Sequence, residues 1–517
     1  LFFEIFQVSR LLILNGLKLF NLYLTTRVNK ILKILSYIFI FLTIQLGYAQ
    51  LSRTHYIPPM TFDRSTFTAD NQAPHDQYLY ISTPSVSPIG YTISRPDGTI
   101  YDSGTVSNAV SVEVKAVPSN GDLGYAFIDP SETEQVLTKG KNAGFIIEAE
   151  SEIYVSFRFN SVPPQYHGGA LVSKGTSALG NRFWAGALEN RAGSHLNFSS
   201  VMAVENNTIV TITPPVNVGF LNSVGLPITF TLNAGESYVV AAKTSTGVGT
   251  GIIGTLIESN KPIAVSCGGI GSNNQGFTAP DGTSVSGQDY GIDQIVPAEK
   301  TGGEYIFVRG GGENPWENVL LISDQDNTKI NINGNPYLDS SGNQVVLNTG
   351  EFTIIEGDNY SSNGTMYVST DDIDNDKVFA YQIIGDNYIN TASTQPYRSM
   401  AARQGMFFVP PLDCGAKGDV NKIAKIDLVG KSFDEGRVTI ITKKNATISI
   451  TEDRGPVSLP TPIDVPKPND DYVVYTIKNL EGDVKVEGDD ELYVAYYNLN
   501  SAATTGSFCS GFQTNPQ

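Results

Sequence analysis

The stretch "ESNKPIAVSCGG", Glu258–Gly269, is a polar, turn-forming cluster followed by a short apolar run. The same shape recurs as "EAESEIYVSFRF", "DNDKVFAYQIIG" and "GDDELYVAYYNL". The residue after the polar turn is Glu152, Lys261, Lys377 or Glu491, at spacings of 109, 116 and 114 residues. A period near 115 residues is too long for a solenoid or a propeller blade, and it matches one β-sandwich.

Two other markers recur in the same order. An Asn-rich turn with a following strand begins at Glu205, Gln325 and Lys443, at spacings of 120 and 118 residues. A Gly-Glu turn begins at Leu232 and again at Leu347, 115 residues later. Three markers in one order predict a unit that is repeated along the chain.

Apolar and polar residues alternate within the repeated runs. In "SEIYVSFRF", alternate residues are apolar, while Ser156 and Arg158 point to the other face. "TKINING" places Ile330 and Ile332 inward and Lys329 outward. Period-2 alternation is typical of sheets with one face in water. The sequence therefore predicts an all-β fold of Ig-like β-sandwich modules.

The module boundaries follow a second pattern, in which an apolar or aromatic residue precedes proline ("HYIPPM", "IVPAE", "FFVPPL"). Proline favours an extended segment at the start of a strand or at a sheet edge. We expect four tandem modules that pack against each other, at about 51–166, 167–294, 295–404 and 405–517.

Residues 1–49 have the layout of a signal peptide. Basic Lys30 and Lys33 precede an apolar run at 34–44, and Gly47-Tyr48-Ala49 suits cleavage after Ala49. The apolar run is shorter than a membrane-spanning helix. Because the sequence opens on Leu, we expect 1–27 to be an untranslated or extended N-terminus.

The composition limits the partners. The formal net charge is −18, so the chain repels phosphate backbones and nucleic acid is not expected as a partner. Hydrophobic residues make up 40% of the chain and charged residues 17%, so there is enough apolar surface for cores. We predict no integral membrane span in the mature chain and no cofactor.

The chain has three cysteines. Cys414 and Cys509 lie near the two ends of the last module and are candidates for a disulfide, which export would permit. Cys267 ends an apolar strand and is predicted to be a buried thiol. The sequence has no CxxC motif and no cluster of histidines, so a zinc site is not expected.

No arrangement of residues indicates catalysis. Ser194 and His195 are adjacent, but neighbours on a strand point to opposite faces, and no Gly-x-Ser-x-Gly motif is present. The 52 acidic residues single out no glycosidase pair. We therefore predict no catalytic residue.

Two stretches are candidates for binding. The loop "RGGGENPWEN" carries Trp316, which is either part of a flexible loop tip or an exposed aromatic anchor for sugars or partners. The run "STDDIDNDK" is either a polar hairpin turn or a structural calcium site. Its carboxylates are Asp372, Asp374 and Asp376. Lys377 and Ile383 replace the glycine and glutamate of an EF-hand. "GQDYGID", with Asp289 and Asp293, is a weaker calcium candidate.

Long stretches resemble the N-terminal domain family of IgGFc-binding protein, as found in secreted Bacteroidetes-type proteins. They are "HGGALVSKGTSALGNRFWAGALENRAGSHLNFSSVMAVENNTIVTI" (His167–Ile212), "GQDYGIDQIVPAEKTGGEYIFVRG" (Gly287–Gly310) and "ELYVAYYNLNSAATTGSFCSGF" (Glu491–Phe512). The resemblance implies a secreted, non-catalytic, β-rich recognition region. In the animal mucus protein that names the family, this region binds the Fc part of immunoglobulin G.

These observations predict a secreted or bacterial cell-surface protein for adhesion, which recognises extracellular protein or glycan ligands through loops and faces. The alternative is a carbohydrate-active enzyme or its carbohydrate-binding accessory region. The chain stops at "FQTNPQ" without a sorting domain, which suggests either a truncated sequence or a released protein.

Overall fold

The computed structural model describes residues 50–512 with internal gaps. The gaps are 62–73, 75, 118–124, 129–142, 162–166, 190–195, 217, 219, 221–224, 244–250, 272–276, 279–283, 286–288, 313, 386–403, 413–419, 433–434 and 501–502. Within the described residues the fold is all-β, as predicted, without an α-helix. Short 3₁₀ helices lie at Gly175–Ala178, Ala298–Lys300, Asn314–Trp316 and Gly357–Asn359.

The strands fall into four groups along the chain. The first group is β1 (Ser52–Ile57), β2 (Met60–Thr61), β3 (Asp76–Ser82), β4 (Ile89–Ser94), β5 (Ile100–Val106), β6 (Val112–Lys115), β7 (Phe127–Ile128) and β8 (Phe145–Asn160). The second is β9 (Gly168–Val172), β10 (Gly180–Ala185), β11 (Leu196–Ala203), β12 (Thr208–Thr213), β13 (Ile228–Leu232), β14 (Ser237–Lys243), β15 (Thr255–Gly271), β16 (Phe277–Thr278), β17 (Ser284–Val285) and β18 (Asp289–Ile295).

The third group is β19 (Glu304–Val308), β20 (Asn318–Ser323), β21 (Thr328–Ile332), β22 (Asn335–Pro336), β23 (Val346–Leu347), β24 (Phe352–Ile355), β25 (Thr365–Thr370), β26 (Val378–Gly385) and β27 (Gln404–Phe408). The fourth is β28 (Val420–Ile423), β29 (Leu428–Val429), β30 (Lys431–Ser432), β31 (Glu435–Lys443), β32 (Ile448–Glu452), β33 (Gly455–Pro456), β34 (Ile463–Asp464), β35 (Tyr472–Leu480), β36 (Val484–Gly488), β37 (Leu492–Asn500) and β38 (Ala503–Phe508).

One antiparallel pairing pattern occurs four times along the chain, and its first occurrence includes β9, which pairs with β8. A long strand, or two consecutive strands, pairs with two neighbours through its first half and with two others through its second half. The first half of β8 pairs with β1 and β4, and the first half of β15 pairs with β10 and β12. In the third and fourth groups a separate strand takes this place: β25 pairs with β19 and β21, and β36 pairs with β28 and β32. The second half of β8 pairs with β3 and β9, and the second half of β15 pairs with β11 and β18. The corresponding strands of the third and fourth groups are β26, which pairs with β20 and β27, and β37, which pairs with β31 and β38.

The quoted stretch Glu258–Gly269 lies where this change of partners occurs. Ser259 pairs with Val210 on β12, whereas Ile263 pairs with Ala203 on β11. The polar residues between them therefore mark the place where one strand leaves one set of neighbours and joins another. In the third and fourth groups the chain breaks there into two strands.

The predicted alternation holds for the outer strands. On β21, Ile330 and Ile332 are buried, while Lys329 is exposed. The expectation of a wet face is wrong for the second half of β8, because Ser156 and Arg158 are buried as well. Residues of the fourth group cover that face, so both sides of β8 lie inside the protein.

The last strand of each of the four repeats of this pattern lies in the interior, where β9, β18, β27 and β38 pack together. β9 contacts β18 and β38, and β27 contacts the same two strands. Gly169 on β9 allows this approach, because a Cβ atom there would lie 2.3 Å from Cζ of Phe159 and 3.0 Å from Cβ of Tyr290. The interior strands thus bring together residues that are far apart in the sequence.

Candidate functional site

The structure places Trp316 in the interior, with no exposed surface. Its carbonyl oxygen accepts a hydrogen bond of 2.7 Å from Nε2 of Gln404, and a Cβ atom on Gly385 would lie 2.5 Å from its own Cβ. The prediction of an exposed aromatic anchor is therefore wrong. The carboxylate of the neighbouring Glu317 accepts hydrogen bonds from the amides of Gly310 and Gly312 in the Gly-rich loop at 2.9 and 2.6 Å.

The calcium candidate at 371–377 is a hairpin turn between β25 and β26. The carboxylate of Asp372 accepts hydrogen bonds from Nδ2 of Asn375 at 3.0 Å, and its carbonyl oxygen accepts one from the amide of Asp376. Among the residues that the structure describes, which include Asp374, no three His, Cys, Asp or Glu side chains lie close enough together to hold a metal ion. The calcium site stays a prediction, which thermal-shift titration with Ca²⁺ tests.

The cysteine predictions have different outcomes. Cys267 is a buried thiol, as predicted, and its Sγ lies 3.8 Å from Oη of Tyr381. Cys509 is also a buried free thiol, and burial raises its pKa to about 12. Cys414 lies outside the described residues, so the pairing with Cys509 stays a prediction.

The histidine residues give no catalytic arrangement in the described part of the chain. His195, with Ser194, lies outside the described residues. His55 is buried, and its Nε2 donates to the carbonyl oxygen of Ile153 at 2.9 Å. Burial lowers the pKa of His55 to about 4, against the effect of its backbone hydrogen bonds. It is therefore neutral and serves to join β1 to β8.

The weaker calcium candidate, Asp289 with Asp293, lies on β18 with its carboxylates bonded to protein donors. Oδ1 of Asp289 accepts from the amide of Gly168 at 2.8 Å. Asp293 is bonded to a cation, but this is Nζ of Lys174 rather than a metal, at 2.8 Å. No sequence pattern signals this pairing, because the two residues are 119 positions apart.

Lys174, Asp293 and Ser507, which we call the central trio, join three interior strand regions. Nζ of Lys174 donates to Oγ of Ser507 at 2.8 Å, and this hydroxyl lies 2.9 Å from both carboxylate oxygens of Asp293. The amides of Gln294 and Phe408 donate to Oδ1 and Oδ2 of Asp293 at 2.8 and 2.9 Å. Neither Lys174 nor Asp293 has any exposed side-chain surface.

The electrostatics of the pair follow from this burial. Desolvation lowers the pKa of Lys174 and raises the pKa of Asp293, while their mutual attraction opposes both shifts. Removing two charges from water costs several kcal/mol per ion, so the pair depends on its full set of hydrogen bonds. The central trio is thus a structural link in which the amino group of Lys174 and the carboxyl group of Asp293 meet without access to water.

Arg158 forms a second buried link, between β8 and the fourth group of strands. Its guanidinium lies 4.2 Å from the ring centroid of Tyr80 and 4.7 Å from that of Tyr496. Its nitrogen atoms donate to the carbonyl oxygens of Ala424, Lys425 and Leu428 at 2.8, 2.7 and 3.0 Å. A cleft beside it has a cavity volume of about 20 Å³, which is room for about one water molecule.

The IgGFc binding protein family model matches residues 169–498, which is more than half of the chain. The chain belongs to this family. No curated protein sequence matches it. The match confirms the resemblance seen at His167–Ile212 and Gly287–Gly310.

Similar solved structures of other proteins add nothing to this assignment. A biofilm-associated protein BSP domain is 9% identical over 92% of this chain and 98% of its own, with a TM-score of 0.11. The viral chemokine binding protein R17 of rodent gammaherpesvirus Peru is 10% identical over 68% and 91%, with a TM-score of 0.12. Native E. coli alpha-2-macroglobulin is 9% identical over 90% and 30%, with a TM-score of 0.10. TM-scores this low carry no argument.

The exposed surface of this IgGFc-binding family member includes strands at the ends of its sheets. β5, β13, β22 and β33, which we call the outer edge strands, have one hydrogen-bonded neighbour each, and most of their side chains are partly or fully exposed. Ile100 on β5 is 64% exposed, and Leu338 beyond β22 is 51% exposed. In the described part of the chain, no helix is long and apolar enough to cross a membrane.

Proposed function

We propose that the chain is an extracellular, non-catalytic binding protein that acts in adhesion, either secreted or displayed on a bacterial cell surface. The observation that carries the proposal is the family match over residues 169–498, because the family is one of binding proteins. The ligand would be an extracellular protein or a glycan.

The distribution of polar groups supports this function. Several buried charged groups of the described interior link strands, as in the central trio and at Arg158. The outer edge strands and their turns are left for recognition. Loops and edges on a rigid scaffold tolerate sequence change and carry binding sites without disturbing the core.

We further propose the four-module division at about 51–166, 167–294, 295–404 and 405–517. The fourfold recurrence of one pairing pattern supports the number of modules, while β9, which lies after residue 166, pairs with β8 of the first module. Four similar modules would present four similar outer edges, which suits broad contact with a repetitive partner such as a matrix protein or a polysaccharide.

The test is a binding measurement on the purified chain. Biosensor surfaces would carry immunoglobulin G Fc, extracellular matrix proteins or a glycan array, and we expect saturable binding to at least one of them. Leu338→Asp and Ile100→Asp would weaken binding if the outer edges take part, while circular dichroism would show an unchanged fold. The absence of saturable binding to every surface, or turnover of a bound polysaccharide, would contradict the proposal.

A further inference from the structure

The side chains of Lys174 and Asp293 are held in contact at a place that water does not reach. Nζ of Lys174 lies 2.8 Å from Oδ1 of Asp293, and both side chains are completely buried. The ring of Phe512 lies 5.6 Å from Nζ, which adds to the apolar surroundings. An amine and a carboxyl group fixed in this way have lost the freedom that normally makes their encounter rare.

We propose that Lys174 and Asp293 react with each other on folding and form an intramolecular amide bond between Nζ of Lys174 and Cγ of Asp293. The ammonium first gives a proton to the carboxylate, which leaves an amine and a carboxylic acid. The Nζ lone pair attacks Cγ, so a C–N bond forms. A C–O bond then breaks, and its oxygen leaves as water with a second proton from Nζ. One ammonium and one carboxylate give one amide and one water, and no other reactant is needed.

The environment favours the neutral pair that this reaction requires. Burial lowers the pKa of Lys174 and raises the pKa of Asp293, so both shifts favour the amine and the acid. The exclusion of water also favours the amide over its hydrolysis, because water is both a product and the reactant for reversal.

The third member of the trio is placed to move a proton. Oγ of Ser507 lies 2.8 Å from Nζ of Lys174 and 2.9 Å from Oδ1 of Asp293, so it can accept from the nitrogen and donate to the departing oxygen. The amide of Phe408 donates to Oδ2 at 2.9 Å, where negative charge develops when the nitrogen attacks. Ser507 is therefore a positioning and relay residue, and Lys174 and Asp293 are the reacting groups.

A second Lys–Asp contact in the same protein provides an internal control. Nζ of Lys422 lies 2.7 Å from Oδ2 of Asp483, but the two side chains are 14% and 10% exposed. The pKa of Asp483 is lowered, because hydrogen bonds to its carboxylate outweigh desolvation. The charged form is thus favoured, and we expect no amide bond there.

The experiment is intact-mass spectrometry of the purified, denatured chain, with both termini determined by sequencing. We expect a mass lower than the calculated one by a single water molecule. Fragmentation of a proteolytic digest should give one branched peptide that contains both Lys174 and Asp293. A mass equal to the calculated one, with Lys174 and Asp293 in separate peptides, would overturn the proposal.

Variants separate the reaction from other losses of water. Lys174→Arg keeps a cation in place but cannot form this amide, so its measured and calculated masses should agree. Lys422→Arg should still lose one water. Ser507→Ala should leave a measurable fraction of chains unlinked after folding. A loss of water that persists in Lys174→Arg would show that it arises elsewhere, and this would also overturn the proposal.

Discussion

The protein contains two clusters of the same three residue types in different surroundings. The central trio, Lys174 with Asp293 and Ser507, is completely buried. The outer trio, Lys422 with Asp483 and Ser111, has Lys–Asp and Ser–Asp contacts of 2.7 Å each, but it lies close to the surface. It joins β28 to the turn before β6 and to the loop before β36, whereas the central trio joins interior strands.

Burial reverses the electrostatics of the aspartate between these two clusters. Desolvation dominates at Asp293 and raises its pKa. At Asp483 burial also acts to raise the pKa, but hydrogen bonds from Lys422, Ser111 and the amide of Lys425 together bring it below its ordinary value. The same contacts therefore stabilise a carboxylate near water and fail to offset its desolvation in the interior. The two sites should respond differently to mutation and to pH.

The largest effect is expected for Asp293→Ala. The variant leaves the nitrogen of Lys174 buried without its partner, whether the two are held by an ion pair or by the proposed amide, and it also leaves the backbone amide of Phe408 without this acceptor. We expect the free energy of unfolding to fall by about 3–5 kcal/mol, as for other broken buried pairs. Urea denaturation would measure it. Asp483→Ala is the matched control, with an expected loss of about 1–2 kcal/mol. Equal losses at the two sites would contradict the comparison.

Arg158 extends the comparison to a buried cation whose partners are carbonyl oxygens and aromatic rings. Arg158→Met keeps most of the side-chain volume but leaves three carbonyl oxygens, one in a buried contact and two in part-buried contacts, without this donor. We expect a loss of about 3 kcal/mol in the free energy of unfolding. Arg437→Met, at a partly exposed pair with Glu435, should cost less than about 1 kcal/mol. An unchanged stability for Arg158→Met would show that this link is dispensable.

Glu317 tests the effect of burial on a carboxylate bonded to backbone amides. Desolvation raises its pKa to about 7 from 4.5, against the hydrogen bonds from Gly310 and Gly312. Its contribution to stability is therefore fully present below pH 4.5 and is lost as the pH rises through about 7. The change in the free energy of unfolding across this window should be about 3 kcal/mol larger in the wild type than in Glu317→Gln. Denaturation curves at several pH values would measure it, and parallel pH profiles would refute the assignment.

The smallest effect is expected for Asp483→Asn. The stability that Asp483 contributes depends on pH in the opposite direction to the contribution of Glu317. Because the pKa of Asp483 is lowered from 3.8, its contribution is present above that value and is lost as the pH falls through the folded-state pKa. The variant should be less stable than the wild type by about 1 kcal/mol at neutral pH and equal to it in strong acid. A stability difference that stays constant down to strong acid would contradict this assignment.

The local pattern of the sequence predicts the strands but not what covers them. Alternation correctly placed Ile330 inward and Lys329 outward, because β21 has one covered face. It failed for Arg158, since the residues that bury it lie more than 260 positions further along the chain.

The central trio and the burial of Trp316 were missed for a related reason. Lys174 and Ser507 are 333 positions apart, and no local pattern encodes their contact. The Gly-rich composition around Trp316 is typical of an exposed loop. In the structure, Trp316 is buried, and the neighbouring Glu317 binds the loop amides of Gly310 and Gly312.

The central claim is that the interior links hold the described residues, 50–512 with their gaps, together as one compact unit. Differential scanning calorimetry of the purified chain tests it most directly. We expect a single transition in which the calorimetric and van't Hoff enthalpies agree. Two or more separate transitions in the wild-type chain, with midpoints that Asp293→Ala and Arg158→Met leave unchanged, would contradict it.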